Sequence, residues 1–499
     1  MPPYNTINVH PPHHSLSDLT TDTFDVIVIG SGWAGRTLAP RVVKAGMSVV
    51  IIESELVGGD CPFWACVPSK VLLESRTALD ASLAVGGARE NFKQDPKVDA
   101  KATFARRDAF TANWNDGKVL VPMVQAAGAQ LVRGTGKLVG EKRVEISSID
   151  GDSKVLVAQQ AVVLGTGSEP IIPDIPGLAE AKPWTPRQAT SSSTVPERLV
   201  ILGAGAVGCE MATAYSSFGS KTTLISSTAE ILPRLDDEAG RLVRQSLEAE
   251  GVDILLSSQV TGVVRRANSS VKLSLASGKS LEADELLVAT GRRPRVVGIG
   301  LKELGIQEDG APIPVDESLC AKAVNGGWLY ATGDMNGRNT TTHGSKYHGR
   351  IVGNAIIARA HGLKLDGVPF DKYSATADQN AVPQVVFTTP TVASVGQTRK
   401  AVLKAGSLDR VRFVTATLNS IASRIKNDRA QDGWGQLVID LGTNRILGAT
   451  FVGDDVSEVL HSATVAVVGG MTLERMAHAV PSFPTVSEIW LTLLDAADL

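Results

Sequence analysis

The sequence predicts an α/β protein, with two parallel-sheet βαβ units followed by a C-terminal α+β domain. Three observations carry this expectation. The 499-residue chain is too long for one core and divides into roughly three domains. A short apolar run, a G-x-G-x-x-G turn, a helix-like segment and a second apolar run occur twice, at 25–54 and 199–227. Two later segments, VVLGTGSEP and LLVATGRRP, echo each other as strands ending in small-residue turns.

The elements follow in chain order. Residues 1–23 (MPPYNTINVHPPHHSLSDLTTDT) have neither a basic n-region nor an apolar core, so a disordered polar tail is expected rather than a secretory signal. His10, His13 and His14 could hold a metal there, but the tail reading is preferred and no metal site is expected. The first unit should span 24–195 and resume at 296–375, with the second inserted at 196–295 and the α+β domain at 376–499. The Pro-rich IIPDIPGL and the STVPERL stretch read as linkers ahead of the second unit.

Each glycine of the repeat has its own task. Gly30 and Gly203 permit the tight turn, Gly32 and Gly205 let the backbone approach a pyrophosphate, and Gly35 and Gly208 let the helix pack on the sheet. The helix N-terminus then offers free N–H groups and a positive dipole end to phosphate. A lone motif of this kind is weak, but two copies in βαβ settings point to two Rossmann-like dinucleotide sites. Glu53 closes the second strand of the first copy, placed to accept hydrogen bonds from a ribose 2′-OH. Aligning the repeat on itself puts Ser226 at the matching position of the second copy. An acid there repels a 2′-phosphate and a serine does not, so the second site slightly favours NADPH over NADH. Asp334, in ATGD, ends a later strand and could accept a hydrogen bond from a sugar-like hydroxyl.

Between Glu53 and the next helix lies VGGDCPFWACVPSK. Cys61 and Cys66 flank four residues at the start of a helix marked by Pro68. A helix N-terminus lowers a thiol pKa, and Lys70 is close enough in sequence to add to the effect. Such a pair can cycle as a disulfide beside the first cofactor. Zinc would need two further ligands, and no second pair has suitable spacing.

Composition narrows the function. Net charge is -3 and the pI near 6.3, so no basic field attracts nucleic acid. No apolar run is long enough to span a membrane. Four cysteines are too few for a disulfide scaffold and indicate a reducing, cytoplasmic setting.

The combination GSGWAG, GGDCPFWACVPSK, GAGAVGCE, ATGRRP and ATGD, continuing through VVFTTPTVASVG and FPTVSE, resembles the FAD-dependent pyridine-nucleotide disulfide oxidoreductases. These include dihydrolipoamide dehydrogenase, glutathione reductase and mercuric reductase. The resemblance covers about residues 24–490 and implies an FAD domain, an NAD(P)H domain and a C-terminal dimerisation domain in a homodimer. It implies that Gly30, Gly32, Gly35, Glu53, Gly59, Lys70, Gly167, Gly333 and Asp334 hold FAD. It implies that Gly203, Gly205, Gly208, Glu210, Ser226 and Gly291 hold NAD(P)H. Cys61 would be the interchange thiol that meets the substrate and Cys66 the charge-transfer thiol against the flavin. Lys70 would lie near the flavin and pair with Glu210.

The departures from the family pattern matter as much. The family's H-P-T-x-S-E signature supplies a histidine, oriented by the glutamate, as acid/base for the interchange thiol. Here Glu488 remains but Phe483 stands in place of the histidine, and His478 does not match. General acid–base catalysis supplies about 10²–10⁴-fold, so ordinary lipoamide or glutathione-disulfide turnover should be poor. Phe63, Trp64 and Ala65 replace smaller residues in the cysteine motif, either to stack a flat acceptor or to fill space. Ala206 stands where some relatives carry a tyrosine gate, and the terminal LLDAADL lacks the vicinal thiols of mercuric reductases. The leading expectation is an NAD(P)H-dependent flavoenzyme whose cysteines act on an atypical disulfide or thiol. The alternative is an NAD(P)H:quinone (diaphorase-type) reductase with direct flavin-to-acceptor transfer. A non-catalytic FAD-binding redox sensor is the third reading.

Overall fold

The computed structural model describes residues 7–92, 96–428 and 433–499. Its first sheet is built from β1 (Thr23–Ile29), β2 (Val49–Glu53), β3 (Gln130–Arg133), β4 (Thr135–Gly140), β5 (Arg143–Ser147) and β6 (Ser153–Leu164). The order is β3-β2-β1-β6-β5-β4, and Leu329–Ala331 pairs with the free side of β6. The apolar runs of β1 and β2 are buried almost throughout, as expected for parallel strands covered on both faces. β6 does two jobs: Ser153–Val157 pairs antiparallel with β5, while its C-terminal half runs parallel between β1 and Leu329–Ala331.

The second sheet is parallel, in the order Asp253–Leu255, Lys221–Ile225, Arg198–Leu202, Glu285–Val288. A three-stranded meander (Val260–Arg265, Val271–Leu275, Ser280–Ala283) packs its inward side chains with this unit. The two echoing segments turn out to pair with each other: Arg292–Pro294 lies antiparallel to Ser168–Pro170 where the chain passes between the units. The C-terminal domain is a five-stranded antiparallel sheet over residues 384–453, with the Val456–Val468 helix packed on it.

Two stretches dock more closely than a linker or a free tail would. Leu178, Ala181, Trp184 and Ala189 pack into the cores of the second unit, and Trp184 bridges to Leu287 at its sheet edge. The same stretch also holds to the first unit, where Arg187 pairs with Glu55 and Thr190 Oγ1 donates to Trp64 O, so it is a docked strap between the two units. The N-terminal stretch is not a free tail from residue 7 onward. Ile7 and Val9 pack against Leu56, Phe63 and Trp64, His10 Nδ1 lies 2.9 Å from Ser54 O, and Arg133 N–H donates to His14 O at 2.7 Å. Two apolar residues in a polar sequence suffice to dock it; residues 1–6 lie outside the described residues. No helix among the described residues is long and apolar enough to cross a membrane.

Candidate active site

The two glycine turns differ from ordinary loops in where they leave room. Gly30 and Gly203 take φ of 103° and 112°, a region that favours glycine. A Cβ at either would sit 2.2 Å from Gly165 O or 2.5 Å from Ala289 O, the ends of the neighbouring strands. At Gly35 and Gly208 a Cβ would strike the carbonyl of the first glycine of the same motif, at 2.9 and 1.9 Å. Gly32 and Gly205 are the opposite case: a Cβ at either meets nothing within 4 Å. Each caps a 12-residue helix (Trp33–Lys44 and Ala206–Ser217) with no side-chain hydrogen bond to the cap. Open space before uncapped N–H groups is what a pyrophosphate requires, so both cradles fit dinucleotides.

The other expected cofactor residues take more particular positions. Glu53 ends β2, but its carboxylate is already engaged: one oxygen accepts from Ser31 N (2.9 Å) and Ser31 Oγ (2.6 Å), the other from Glu55 N (2.9 Å). It thereby organises the glycine turn. Gly59 lies against Gly32 across the same cradle. Asp334, beside Gly333, accepts from the Ser168 hydroxyl, and burial raises its carboxyl pKa. Gly167 and Gly291 sit at the turns beside the two paired segments, where Gly291 O accepts from Ile171 N. Ser226 is buried at the end of its strand, with its hydroxyl 2.7 Å from Thr228 Oγ1.

Cys61 lies in the short Asp60–Phe63 turn, and Cys66 is the first residue of the Cys66–Ala84 helix. Both are free, half-buried thiols. The neighbouring Cys66 thiol, with Thr342, Trp33 and the charge of Arg36, outweighs burial and lowers the Cys61 thiol to about 6. The adjacent Cys61 sulfur, together with burial, pushes Cys66 up. Thr342 Oγ1 lies 3.1 Å from Cys66 Sγ, and Trp33 Nε1 donates to Cys61 Sγ at 3.3 Å. One turn into the cysteine helix, Lys70 Nζ pairs with Glu210 Oε2 at 2.8 Å. Glu210 belongs to the helix of the second glycine motif, and its other oxygen accepts from Phe387 N at 3.0 Å. The ion pair expected from sequence thus ties the dithiol helix to the second cradle.

Phe63 and Trp64 do not face an acceptor. They are 2% and 3% exposed, and the Trp64 ring lies 6.0 Å from that of Trp114, whose indole N–H donates to Phe63 O at 3.2 Å. Of the two sequence readings for these aromatics, filling space is the one the packing supports. Sequence reasoning missed Trp33, Arg36 and Thr342. A tryptophan directly after the second glycine of GSGWAG was the available signal, since that position borders the open cradle.

The C-terminal signature is a different matter. Phe483 is 73% exposed, and His478 is exposed as well. Glu488 Oε2 is buried with no hydrogen-bond partner among the described residues. Neither Phe483 nor Glu488 hydrogen-bonds to the cysteine pair of its own chain.

Comparison with known proteins gives the family. Residues 24–362 match the family described as pyridine nucleotide-disulphide oxidoreductase, and residues 382–494 match its dimerisation domain. The chain is 30% identical over 477 residues to dihydrolipoyl dehydrogenase 2, mitochondrial, of Arabidopsis thaliana, covering 94% of this chain and 89% of that one. It is 28% identical to mercuric reductase of Streptomyces lividans, covering 93% and 94%. Among solved structures, the Cu(II) complex of the HOCl-induced flavoprotein disulfide reductase RclA from Escherichia coli superposes with a TM-score of 0.79. That match has 24% identity, covers 95% and 99% of the two chains, and speaks to the fold alone. With more than half its length matched to the family and its dithiol set between two dinucleotide cradles, the chain belongs to the pyridine nucleotide-disulphide oxidoreductases.

Proposed function

We propose that this oxidoreductase draws two electrons from NAD(P)H by way of FAD into a Cys61–Cys66 disulfide. The reduced pair then acts on an atypical disulfide, one whose departing thiol is acidic. The observation that carries the reading is the setting of Cys61 and Cys66 at a helix N-terminus, with Trp33 Nε1 on one sulfur, Thr342 Oγ1 on the other and the Lys70–Glu210 pair one turn away. The open space at Gly32 and Gly205 supports an FAD site in the first unit and an NAD(P)H site in the second, with Ser226 slightly favouring NADPH. When bound, FAD supplies the two-electron transfer between nicotinamide and disulfide.

The chain's own residues account for the rest. Reduction of the pair consumes two electrons and one proton and leaves one thiol and one thiolate, as the lowered Cys61 and raised Cys66 imply. The Cys61 thiolate attacks a substrate disulfide, forming a mixed disulfide and releasing the first thiolate. The Cys66 proton passes to that thiolate as Cys66 attacks Cys61 Sγ, which restores the intramolecular disulfide and releases the second thiolate. Two electrons leave the pair and two enter the substrate. Because Phe483 cannot donate a proton, the first sulfur must leave unprotonated and gains the Cys66 proton only afterwards. Low-pKa leaving groups are therefore favoured. The dimerisation domain supports a homodimer, in which the C-terminal region of one chain serves the other's dithiol.

Direct transfer to a quinone is the second reading, favoured by the same absent base, since it needs no thiol proton donor. A Cys66→Ser variant run against disulfides, quinones and dyes with both nicotinamides separates the two. Loss of disulfide and quinone turnover together supports the dithiol route; full quinone turnover without Cys66 overturns it.

A further inference from the structure

Trp33 is an unusual neighbour for a thiol. It is the first residue of the Trp33–Lys44 helix, directly after the open glycine of the first cradle, and is half-buried. Its only ring N–H is spent on Cys61 Sγ. Two cations lie over its ring: the Arg36 guanidinium carbon at 4.1 Å from the centroid and Lys346 Nζ at 3.8 Å. Arg36 is fixed in place, donating to Ser31 O at 3.1 Å and Gly58 O at 3.2 Å. Lys346 rises from the Thr342–Ala360 helix one turn beyond Thr342, whose hydroxyl reaches the cysteine pair. Cations over an indole draw electron density from the ring and make its N–H a stronger donor, and such a donor favours an anion over a neutral partner.

We propose that Trp33 is a catalytic residue of the dithiol: its indole N–H, polarised by Arg36 and Lys346, holds Cys61 as the attacking thiolate. It thereby supplies the charge-stabilising share of the work that a histidine base does in relatives, but not the proton-donating share. This rests on the dithiol reading above. The groups facing Cys61 are few. The 60–63 turn carries Asp60, which is engaged by Arg187 and Arg292. The cysteine helix brings Cys66 and Lys70, the glycine helix brings Trp33 and Arg36 with Glu53 behind it, and the 342–360 helix brings Thr342 and Lys346. A second consequence follows from linkage. A bond made to the thiolate but not to the disulfide stabilises the reduced pair and makes it more oxidising.

The test uses FAD-loaded protein reduced with a phosphine, alkylated with limiting iodoacetamide from pH 4.5 to 9, with Cys61 followed by peptide mass mapping. Wild-type Cys61 is expected to titrate near 6. Trp33→Phe keeps the ring, and so the seat for both cations, but removes the N–H. Its midpoint should rise by about one unit, a roughly tenfold loss of alkylation rate on the acid side with no difference at pH 9. The pair's equilibrium with glutathione should move tenfold toward disulfide, about 30 mV. Lys346→Met, which does not touch Cys61, should shift the midpoint in the same direction by about threefold in rate. Superimposable profiles for wild type and Trp33→Phe overturn the proposal. So does an equal fall at every pH, which would mark a packing defect. Failure of the dithiol reading looks different: the pH shift persists, yet Cys61→Ser still reduces every acceptor.

Discussion

Placing a histidine at position 483 offers the most direct trial of the proposed dithiol route. In Phe483→His the new imidazole would stand in the family signature five residues ahead of Glu488, whose buried Oε2 has no partner among the described residues. That oxygen can accept from one ring nitrogen and leave the other free for the departing thiol. Phe483 is 73% exposed in the single chain, so the substitution removes little packing and should not affect folding. General acid catalysis contributes about 10²–10⁴-fold, and an exposed histidine oriented by one carboxylate oxygen belongs at the low end, about 100-fold. The gain should fall on kcat/KM for lipoamide, whose alkyl thiolate leaves poorly without a proton. An aromatic disulfide such as dithiobis(nitrobenzoate), with its acidic leaving thiol, should change by less than about threefold. The assay is NADPH oxidation with each acceptor from pH 5 to 9, with dimer content checked by gel filtration. The lipoamide rate should also acquire a new ionisation near the ordinary histidine value of about 6.5. Equal gains on both disulfides, or none on lipoamide, would refute the claim that proton donation is what the wild-type site lacks.

Three further outcomes follow from the same geometry. Gly205→Val should leave FAD content and melting unchanged, because the space is open, yet raise KM for NAD(P)H at least about tenfold by blocking phosphate approach. Gly208→Ala is the contrast: its Cβ would fall 1.9 Å from Gly203 O, so the second unit should lose stability, visible as an early melting transition. Trp64→Ala, at a site 3% exposed beneath the cysteine turn, should cost about 3–5 kcal/mol in denaturant unfolding and loosen the Asp60–Phe63 turn.

Much of this molecule was legible because its signals are local. Gly30, Gly32 and Gly35 with their second copy state a backbone requirement in three letters. Cys66 and Lys70 lie on one helix start and Cys61 in the turn just before it, so neighbours in sequence are neighbours in space. Lys70 and Glu210 are 140 residues apart and were paired only through the family resemblance. What stayed hidden is non-local. Trp33 meets Cys61 across 28 residues and Thr342 meets Cys66 across 276, contacts that no periodicity encodes. The docking of the strap at 178–189 and of the N-terminal segment stayed hidden for one reason: prolines and polar residues dominate them, while the few apolar side chains that anchor them carry no period. Trp64 was ambiguous because a buried aromatic and a stacking platform look alike until Trp114 is found beside it.

A thiol base in this family does two separable things: it holds the attacking sulfur as an anion, and it returns a proton to the sulfur that leaves. In the proposed site the donors for the first would be Trp33 and Thr342, backed by the Arg36 charge, and Phe483 stands where the second would come from. An enzyme with the first alone does not lose disulfide chemistry uniformly. Its attack step should stay competent near neutral pH, because the groups around Cys61 lower its thiol to about 6. Its release step then depends on the acidity of the departing thiol. Across a series of substituted aryl and alkyl disulfides, log kcat/KM should fall steadily as leaving-group pKa rises, and Phe483→His should flatten that line. A flat line in the wild type would mean that some other group protonates the leaving sulfur. Cys66, which holds the pair's remaining proton, is the first residue to interrogate in that case.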